Sequence, residues 1–232
     1  MAFFGLLIYL VPLLFSIIAH EYMHGKIAER FGDHTARLMG RLTFNPLKHI
    51  DPVGSIVVPF ILYMSSRLFL GTPIVIGWAK PVPVNYLNLR NPRKDMIWIS
   101  LAGPLTNLSI AFASGLLIRL LIILPMASDA FVRPLFLLLI CCVIVNIALA
   151  LFNLLPIPPL DGSKVLAGVL PPQWSSKYLQ YERYGFFIIL GVIVLGNIIG
   201  IDFLQLVMAP PMNVLARLFT GFSIMQLFHF IV

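Results

Sequence analysis

Residues 131–155 have the sequence FVRPLFLLLICCVIVNIALALFNLL, in which Arg133 is the one charged residue. An α-helix rises about 1.5 Å per residue, so roughly 20 apolar residues cross the hydrocarbon core of a bilayer. Similar apolar runs occupy residues 2–19, 53–70, 97–124, 184–201 and 203–231. We therefore predict an all-α polytopic membrane protein with about five to six transmembrane helices.

The composition of the whole chain agrees with this fold class. Of 232 residues, 59% are hydrophobic and 11% are charged, whereas roughly 25% of the residues of a soluble domain are charged. This excludes a soluble fold. The net charge of +7 comes mostly from basic residues in short loops between apolar runs, where positive charge marks the cytoplasmic side of a membrane. We therefore expect a lipid bilayer as partner and no nucleic acid.

A polar stretch between the first and third long apolar runs carries most of the basic residues and is predicted to be cytoplasmic. A complete span over 53–70 would put the basic residues on its two sides on opposite faces of the membrane, against the charge rule. We therefore favour a re-entrant or in-plane hairpin there over a complete span. Two pieces of the polar stretch, Thr35–Phe44 and Val75–Asn85, are predicted as short strands. Pro81 and Pro83 make the second an edge strand.

The first apolar run ends in His20-Glu21-Tyr22-Met23-His24. Two histidines four residues apart lie on one face of a helix, where both imidazoles can reach one metal ion. Zinc in such sites takes three protein ligands, and a glutamate beside them accepts the proton of the attacking water. The pattern predicts His20 and His24 as ligands and Glu21 as the acid/base, against the alternative of interfacial polar residues at a helix end.

A second polar cluster, at the end of the run 131–155, has the sequence NLLPIPPLDG over residues 153–162. Prolines interrupt a helix, and irregular backbone at membrane depth is tolerated only when it packs in protein or lines a wet cavity. A carboxylate at that depth is costly without a partner. Asp161 as third metal ligand beside His20 and His24 would meet both needs. The alternative is a proline-rich surface loop with a solvated aspartate.

Residues 20–24, the stretch LAGPLTN at 101–107 and residues 153–162 together resemble the site-2 protease family of intramembrane zinc metalloproteases, in the family's order. The resemblance implies one Zn²⁺ per chain with His20, His24 and Asp161 as ligands and Glu21 as catalytic acid/base. It further implies that Asn153 binds substrate or the oxyanion, and that the substrate is a membrane protein with a transmembrane segment.

The chain resembles a compact member of that family, with neither a PDZ insertion nor CBS domains. We expect residues 1–232 to form a single integral-membrane metalloprotease domain. Its catalytic core would cover about residues 1–170, and its C-terminal helices about residues 184–231.

The stretch GWAKPVPVN at residues 77–85 resembles the family segment that contributes an edge strand near the active site. Such an edge could pair with an unwound substrate segment through main-chain hydrogen bonds. We therefore predict that four residues contact the substrate: Gly77, Trp78, Val82 and Val84. Asn107 is a further candidate, although buried amides more often join helices through hydrogen bonds.

The position of the histidines predicts the side of the membrane. Their helix continues to Lys26 and Arg30, so the metal should lie within about 10–15 Å of the cytoplasmic surface. We expect a prokaryotic cytoplasmic membrane. Two alternatives are a metal-ion transporter, because intramembrane His, Asp and broken helices also mark transport pathways, and a non-catalytic scaffold. One compact ligand set with Glu21 at the base position favours the protease.

Overall fold

The structure, a computed structural model, describes residues 2–70, 77–123 and 132–231. Its α-helices are α1 (Ala2–Arg30), α2 (Thr35–Leu38), α3 (Val58–Leu70), α4 (Pro92–Ile123), α5 (Val132–Asn153), α6 (Asp161–Val169), α7 (Pro172–Leu179), α8 (Gly185–Ile199), α9 (Phe203–Thr220) and α10 (Ile224–Ile231). A π-helical turn, Val53–Val57, runs directly into α3. Short 3₁₀ turns lie at Pro46–Lys48, Tyr86–Asn88 and Gln180–Tyr184. No strand is assigned in these ranges, and the fold is helical as predicted.

Three helical stretches of the described chain are long and apolar enough to cross a membrane: Pro92–Ile123, Val132–Asn153 and Pro172–Ile199. Many of their large apolar side chains point outward, and Phe187 on α8 is 67% exposed. Apolar surface on this scale marks contact with a membrane. The protein is therefore an integral membrane protein.

The main core forms where α4 and α5 pack against each other and are joined by α9 and α10. Its buried residues are Ala111, Ile118, Leu139, Ile140, Val143, Ile147, Ala216, Phe219 and Leu227. At the C-terminal end of α4, Arg119 Nη2 donates to the carbonyl of Leu218 at 2.6 Å. The rings of Phe136 and Phe230 meet at the start of α5. Thus α9 and α10 cover the end of the α4–α5 pair that is remote from Asn153.

The start of the apolar excursion over residues 53–70 lies against a residue that follows it, Trp78. The amide of Trp78 donates to the carbonyl of Gly54 at 3.0 Å, and Ser55 Oγ donates to the carbonyl of Trp78 at 2.9 Å. The first residues of the excursion and those that follow it are therefore neighbours. The arrangement of residues 53–70 relative to the membrane stays a prediction.

The predicted strand Thr35–Phe44 is wrong, because residues 35–38 form α2. Asp33 Oδ1 accepts hydrogen bonds from both the amide and the hydroxyl of Thr35, which starts a helical turn. Gly40, at φ +63°, ends that turn in a left-handed conformation.

The predicted strand Val75–Asn85 begins at two residues, 75 and 76, that lie outside the described ranges. Residues 77–85 form no strand ladder. Pro81 and Pro83 restrict their own φ and bias the preceding residues away from helix. We call residues 77–85 the bridging segment.

Candidate active site

Three side chains from two distant parts of the chain meet at the centre of the protein. His20 and His24 lie one turn apart on α1, and Asp161 is the first residue of α6. The Nε2 atoms of His20 and His24 lie 3.0 Å and 3.2 Å from Asp161 Oδ2. All three residues are at least nine-tenths buried. The α5–α6 connection thus brings a carboxylate to the two imidazoles at a site shielded from solvent.

Hydrogen bonds fix the orientation of both imidazole rings. His20 Nδ1 lies 3.1 Å from Asn107 Oδ1, and His24 Nδ1 lies 2.7 Å from the carbonyl oxygen of Ile99. Both partners are acceptors, so each Nδ1 carries the proton and donates it. A neutral imidazole in this tautomer has its lone pair on Nε2. Both lone pairs are therefore free for a metal ion, and α4 supplies both orienting groups.

The donor set fits a zinc ion. One ligand atom from each of the three residues lies within 4.8 Å of the other two. Ligand atoms bound tetrahedrally at about 2.0–2.1 Å from zinc are about 3.3 Å apart, close to the observed 3.0 Å and 3.2 Å separations. Two neutral imidazoles and a carboxylate are typical of catalytic zinc, which keeps a fourth position for water.

Two glycines allow this close approach. A Cβ atom on Gly103 would lie 2.5 Å from the Nε2 atoms of both His20 and His24. A Cβ atom on Gly162 would lie 2.2 Å from the carbonyl oxygen of Leu154, so the start of α6 could not fold back against the end of α5. The sequence signals these positions through Gly103-Pro104 inside a helix and Asp161-Gly162 after three prolines. Sequence reasoning nevertheless assigned them no role.

Glu21 lies next to His20 on α1 but is not part of the His20–His24–Asp161 group. Its Oε2 accepts a hydrogen bond of 2.8 Å from the amide of Val82. The side chain is half-buried. Its carboxylate is therefore held at the edge of the site by the bridging segment.

Asn153 lies at the end of α5, half-buried, and its Nδ2 donates to the carbonyl of Leu149 at 2.9 Å. Within the described chain it makes no hydrogen bond to the three ligand residues. Its oxyanion role stays a prediction, and would require this amide to turn toward the site.

Asn107 has no exposed surface and lies behind His20. Its Nδ2 is buried without a hydrogen-bond partner among the described residues. A substrate contact from Asn107 also stays a prediction, whereas its contact with His20 Nδ1 is direct.

The predicted substrate-binding residues of the bridging segment have different surroundings. Gly77 is exposed, and the Trp78 ring, 42% exposed, lies 5.5 Å from the ring of Phe186 at the start of α8. Val82 is buried and its amide is occupied by Glu21. Val84 packs partly buried against the cluster of Ala28, Leu89 and Ile99. Only the exposed part of this segment is open to a partner.

Comparison with known proteins agrees with this site. The family model described as peptidase family M50 matches residues 122–195. The chain is 39% identical over 190 residues to YwhC of Bacillus subtilis, an alignment that covers 81% of each protein. It is 32% identical over 166 residues to MJ0611 of Methanocaldococcus jannaschii, covering 70% of this chain and 72% of the relative.

A third relative, Rip2 of Mycolicibacterium smegmatis, is 29% identical over 185 residues, covering 78% of this chain and 64% of the relative. All three proteins are named as zinc metalloproteases. No solved structure matches the chain. The similarity to YwhC extends over most of both proteins, and the site has a buried His-His-Asp group beside a glutamate. The chain therefore belongs to peptidase family M50, the site-2 type of membrane zinc metalloprotease.

Proposed function

We propose that this zinc metalloprotease hydrolyses peptide bonds in the transmembrane segments of other membrane proteins, within or near the bilayer. The observation that carries the proposal is the convergence of His20, His24 and Asp161 at a shielded site built by apolar helices. A protease that acted only on soluble polypeptides would have no need to place its ligands between membrane helices.

We assign the chemistry as follows. His20, His24 and Asp161 would hold a zinc ion, which would supply Lewis-acid activation of the scissile carbonyl and of the attacking water. Glu21 accepts the proton of the attacking water and delivers it to the leaving amine. Asn107 and the carbonyl of Ile99 hold the imidazoles in the required tautomer. Asn153 donates to the developing oxyanion once substrate displaces its bond to Leu149.

We propose that the active site lies near the cytoplasmic side of a prokaryotic cytoplasmic membrane. From His24, α1 continues to Lys26 and Arg30, and basic residues near a membrane helix mark its cytoplasmic end. The three long apolar helices, together with α1 and α3, would give five membrane segments. Of these, α3 would be re-entrant. The remaining apolar helices, α9 and α10, cover one end of the α4–α5 pair, and we do not count them as a sixth segment.

We propose that residues 1–232 form one domain, because the two parts of the chain share a core. The catalytic core of about residues 1–170 contains all the assigned ligands. The C-terminal helices of about residues 184–231 are tied to it through α9 and α10, which share the core of α4 and α5.

For substrate handling, we propose that an unwound substrate segment pairs with the bridging segment. Added main-chain hydrogen bonds would replace those that the substrate loses when its helix unwinds. The amides of Trp78, Lys80 and Val82 are already engaged, by Gly54, His49 and Glu21. Ala79 and Val84 have amides with no protein acceptor in the described chain, and these are the donors that substrate would use.

The decisive experiment reconstitutes purified protein with a single-span model substrate labelled at both ends. We expect zinc-dependent cleavage inside the apolar segment, abolished by a chelator and restored by added zinc. A matched substrate presents the same cleaved sequence in a soluble carrier. Cleavage of the soluble substrate alone would contradict an intramembrane protease.

A further inference from the structure

Arg41 is a buried arginine, 7% exposed, that lies outside the ligand group and belongs to none of the three motifs. Its Nη1 donates to the carbonyl of Lys48. Its Nη2 donates to the carbonyls of Lys80 at 2.7 Å and Pro81 at 3.2 Å. A guanidinium is costly to bury, and here its charge is directed at main-chain oxygens of the bridging segment.

One of those carbonyls belongs to the peptide unit that also contacts Glu21. The carbonyl of Pro81 and the amide of Val82 form a single trans peptide, so the two groups point in opposite directions. Arg41 lies on the oxygen side of this peptide, and Glu21 Oε2 lies 2.8 Å from its nitrogen. The peptide is therefore clamped between a guanidinium and a carboxylate, where a chain of hydrogen bonds polarises it.

The flanking residues make this contact specific. Pro81 and Pro83 have no N–H group, so the amide of Val82 is the single main-chain donor across residues 81–83. Val82 itself is 7% exposed. No neighbouring amide could replace it if the peptide turned, and the orientation of this one peptide decides whether Glu21 is held.

We propose that Arg41 is a positioning residue for Glu21 and acts through the Pro81–Val82 peptide. The proposal rests on the role of Glu21 as base in the proposed function. An arginine paired directly with Glu21 would occupy the carboxylate. Through an intervening peptide, Arg41 fixes one oxygen and leaves Oε1 without a hydrogen-bond partner in the described chain.

Other contacts hold the bridging segment without touching this peptide. The amide of Lys80 donates to His49, and the amide of Asn85 donates to Asp33 Oδ2 at 2.7 Å. Loss of Asp33 should therefore loosen the same segment while leaving the Arg41–peptide–Glu21 chain in place. Asp33→Asn separates general loosening from the specific role of Arg41.

The first test is hydrogen exchange at the Val82 amide, which requires neither zinc nor turnover. Two fragments with a common first residue that end at residues 80 and 83 differ by the Val82 amide alone, because the prolines have no exchanging amide. We expect exchange about tenfold faster in Arg41→Gln, the order of one charge-assisted hydrogen bond. Arg37→Gln is the matched control, since Arg37 is exposed and pairs with Glu29, and should leave the exchange unchanged.

The second test uses kinetics of the zinc-loaded enzyme. Arg41→Gln should lower kcat about tenfold with KM and zinc content unchanged, and Arg41→Lys should recover part of the loss. Arg41→Gln and Val82→Pro should be non-additive because they act on one peptide. Arg41→Gln and Asp33→Asn should be additive.

Unchanged Val82 exchange in Arg41→Gln would overturn the proposal. So would a loss of kcat in Asp33→Asn as large as that in Arg41→Gln. If Arg41→Gln does not fold, Arg41→Lys carries both tests and should show an intermediate change. Faster exchange in a protein that cleaves no membrane substrate would support the contact and contradict the proposed function instead.

Discussion

At the scale of residues, the site is specified by what lies behind the ligands. The two imidazoles use different acceptors, a side-chain amide at Asn107 and a main-chain carbonyl at Ile99. Both acceptors belong to α4, so this one helix sets the tautomer of both rings. The same helix leaves space for the Nε2 atoms at Gly103. The orientation of His20 and His24 therefore depends on a neighbouring helix that adds no residue to the His-His-Asp group.

Replacement of Glu21 by Gln tests the division between binding and proton transfer. Glu21→Gln should keep one zinc per chain and lower the cleavage rate by about 10²–10⁴, the usual loss of general acid/base action. Zinc content and turnover are measured on the same preparation. Asp161→Ala should lose zinc as well as activity. A fully active Glu21→Gln enzyme would contradict the mechanism, and tight stoichiometric zinc in Asp161→Ala would contradict its role as ligand.

A methyl group at Gly103 tests the contact between α4 and the ligands. Gly103→Ala places Cβ 2.5 Å from both Nε2 atoms, so the imidazoles must move and zinc affinity should fall at least about tenfold, as it does when ligand orientation is disturbed. The measurement is competition with a chromogenic chelator. Gly191→Ala on α8 is the matched control, because its Cβ meets nothing within 4 Å. Equal zinc affinity in the two variants would refute the steric argument.

At the scale of elements, the bridging segment shows how an extended chain can serve without a sheet. Most of its amides donate to acceptors within the protein, and its two prolines have no N–H group. It therefore has few free amides. Free amides on an exposed edge invite unwanted pairing, and proline removes them. The segment is therefore a limited edge, and tests of substrate pairing must avoid amides that already hold the protein together.

Proline substitutions at Ala79 and Val84 test that edge. Each removes one main-chain donor and should weaken cleavage of a stable helical substrate several-fold while zinc content stays normal. Ala79→Ser and Val84→Thr retain the amide and should cleave normally. For a substrate with helix-breaking residues, the proline variants should reduce the cleavage rate less. Val82→Pro is unsuitable here because it also removes the bond to Glu21. Normal cleavage by both proline variants would rule out pairing through these amides.

Asp33 connects the end of α1 to the bridging segment, and the stability that it contributes should depend on pH. Asp33 is buried, which disfavours its ionised form, but hydrogen bonds from Thr35, Asn88 and the amide of Asn85 prevail and lower its pKa. A carboxyl whose pKa is lower in the folded state stabilises the protein above its unfolded pKa, near 3.9. This contribution is lost as the pH falls through the folded pKa.

Asp33→Asn should accordingly destabilise the protein by about 2 kcal/mol at pH 7, the order of hydrogen bonds to a charged group. The difference from the unsubstituted protein should shrink as the pH falls below about 4. Denaturant unfolding in detergent at several pH values measures it. A difference that is constant from pH 7 to pH 3 would show that the charge of Asp33 is not responsible.

At the scale of the whole molecule, two contacts show which ends of the helices and loops lie on the same side. Trp78 lies against Gly54, so the start of the excursion over residues 53–70 and the chain that follows it at Trp78 lie at one level. Arg119 binds the C-terminal end of α9, so this helix finishes beside the far end of α4. Polar loops on both sides of the excursion should therefore share the cytoplasmic compartment.

Single cysteines test this topology in a background that lacks Cys141 and Cys142. Leu38 and Leu87, 84% and 92% exposed, lie on the two sides of the excursion. Cysteines at both positions should resist an impermeant thiol reagent added to intact cells and react after lysis. Asp202→Cys, in the exposed turn between α8 and α9, should react in intact cells. Labelling of position 87 but not 38 would show that the excursion crosses the membrane.

The sequence alone was sufficient for the membrane class, the family resemblance and the ligand candidates. Apolar runs are a local property, because the bilayer requires each spanning helix to satisfy its own backbone and to be apolar along its length. The spacing of His20 and His24 is likewise local, since one helical turn places them together. Asp161 could be named because a buried carboxylate after three prolines requires a partner.

Only the tertiary structure decided which groups surround those ligands. Asn107, the Ile99 carbonyl and Gly103 lie about 80 residues from His20 in sequence, and no local pattern encodes contact over that distance. The predicted strand at Thr35–Phe44 is wrong because a single side chain, Asp33, captures Thr35 and outweighs a weak propensity. The contacts of Arg41 and Val82 depend on the orientation of one peptide, which is determined by packing rather than by residue type.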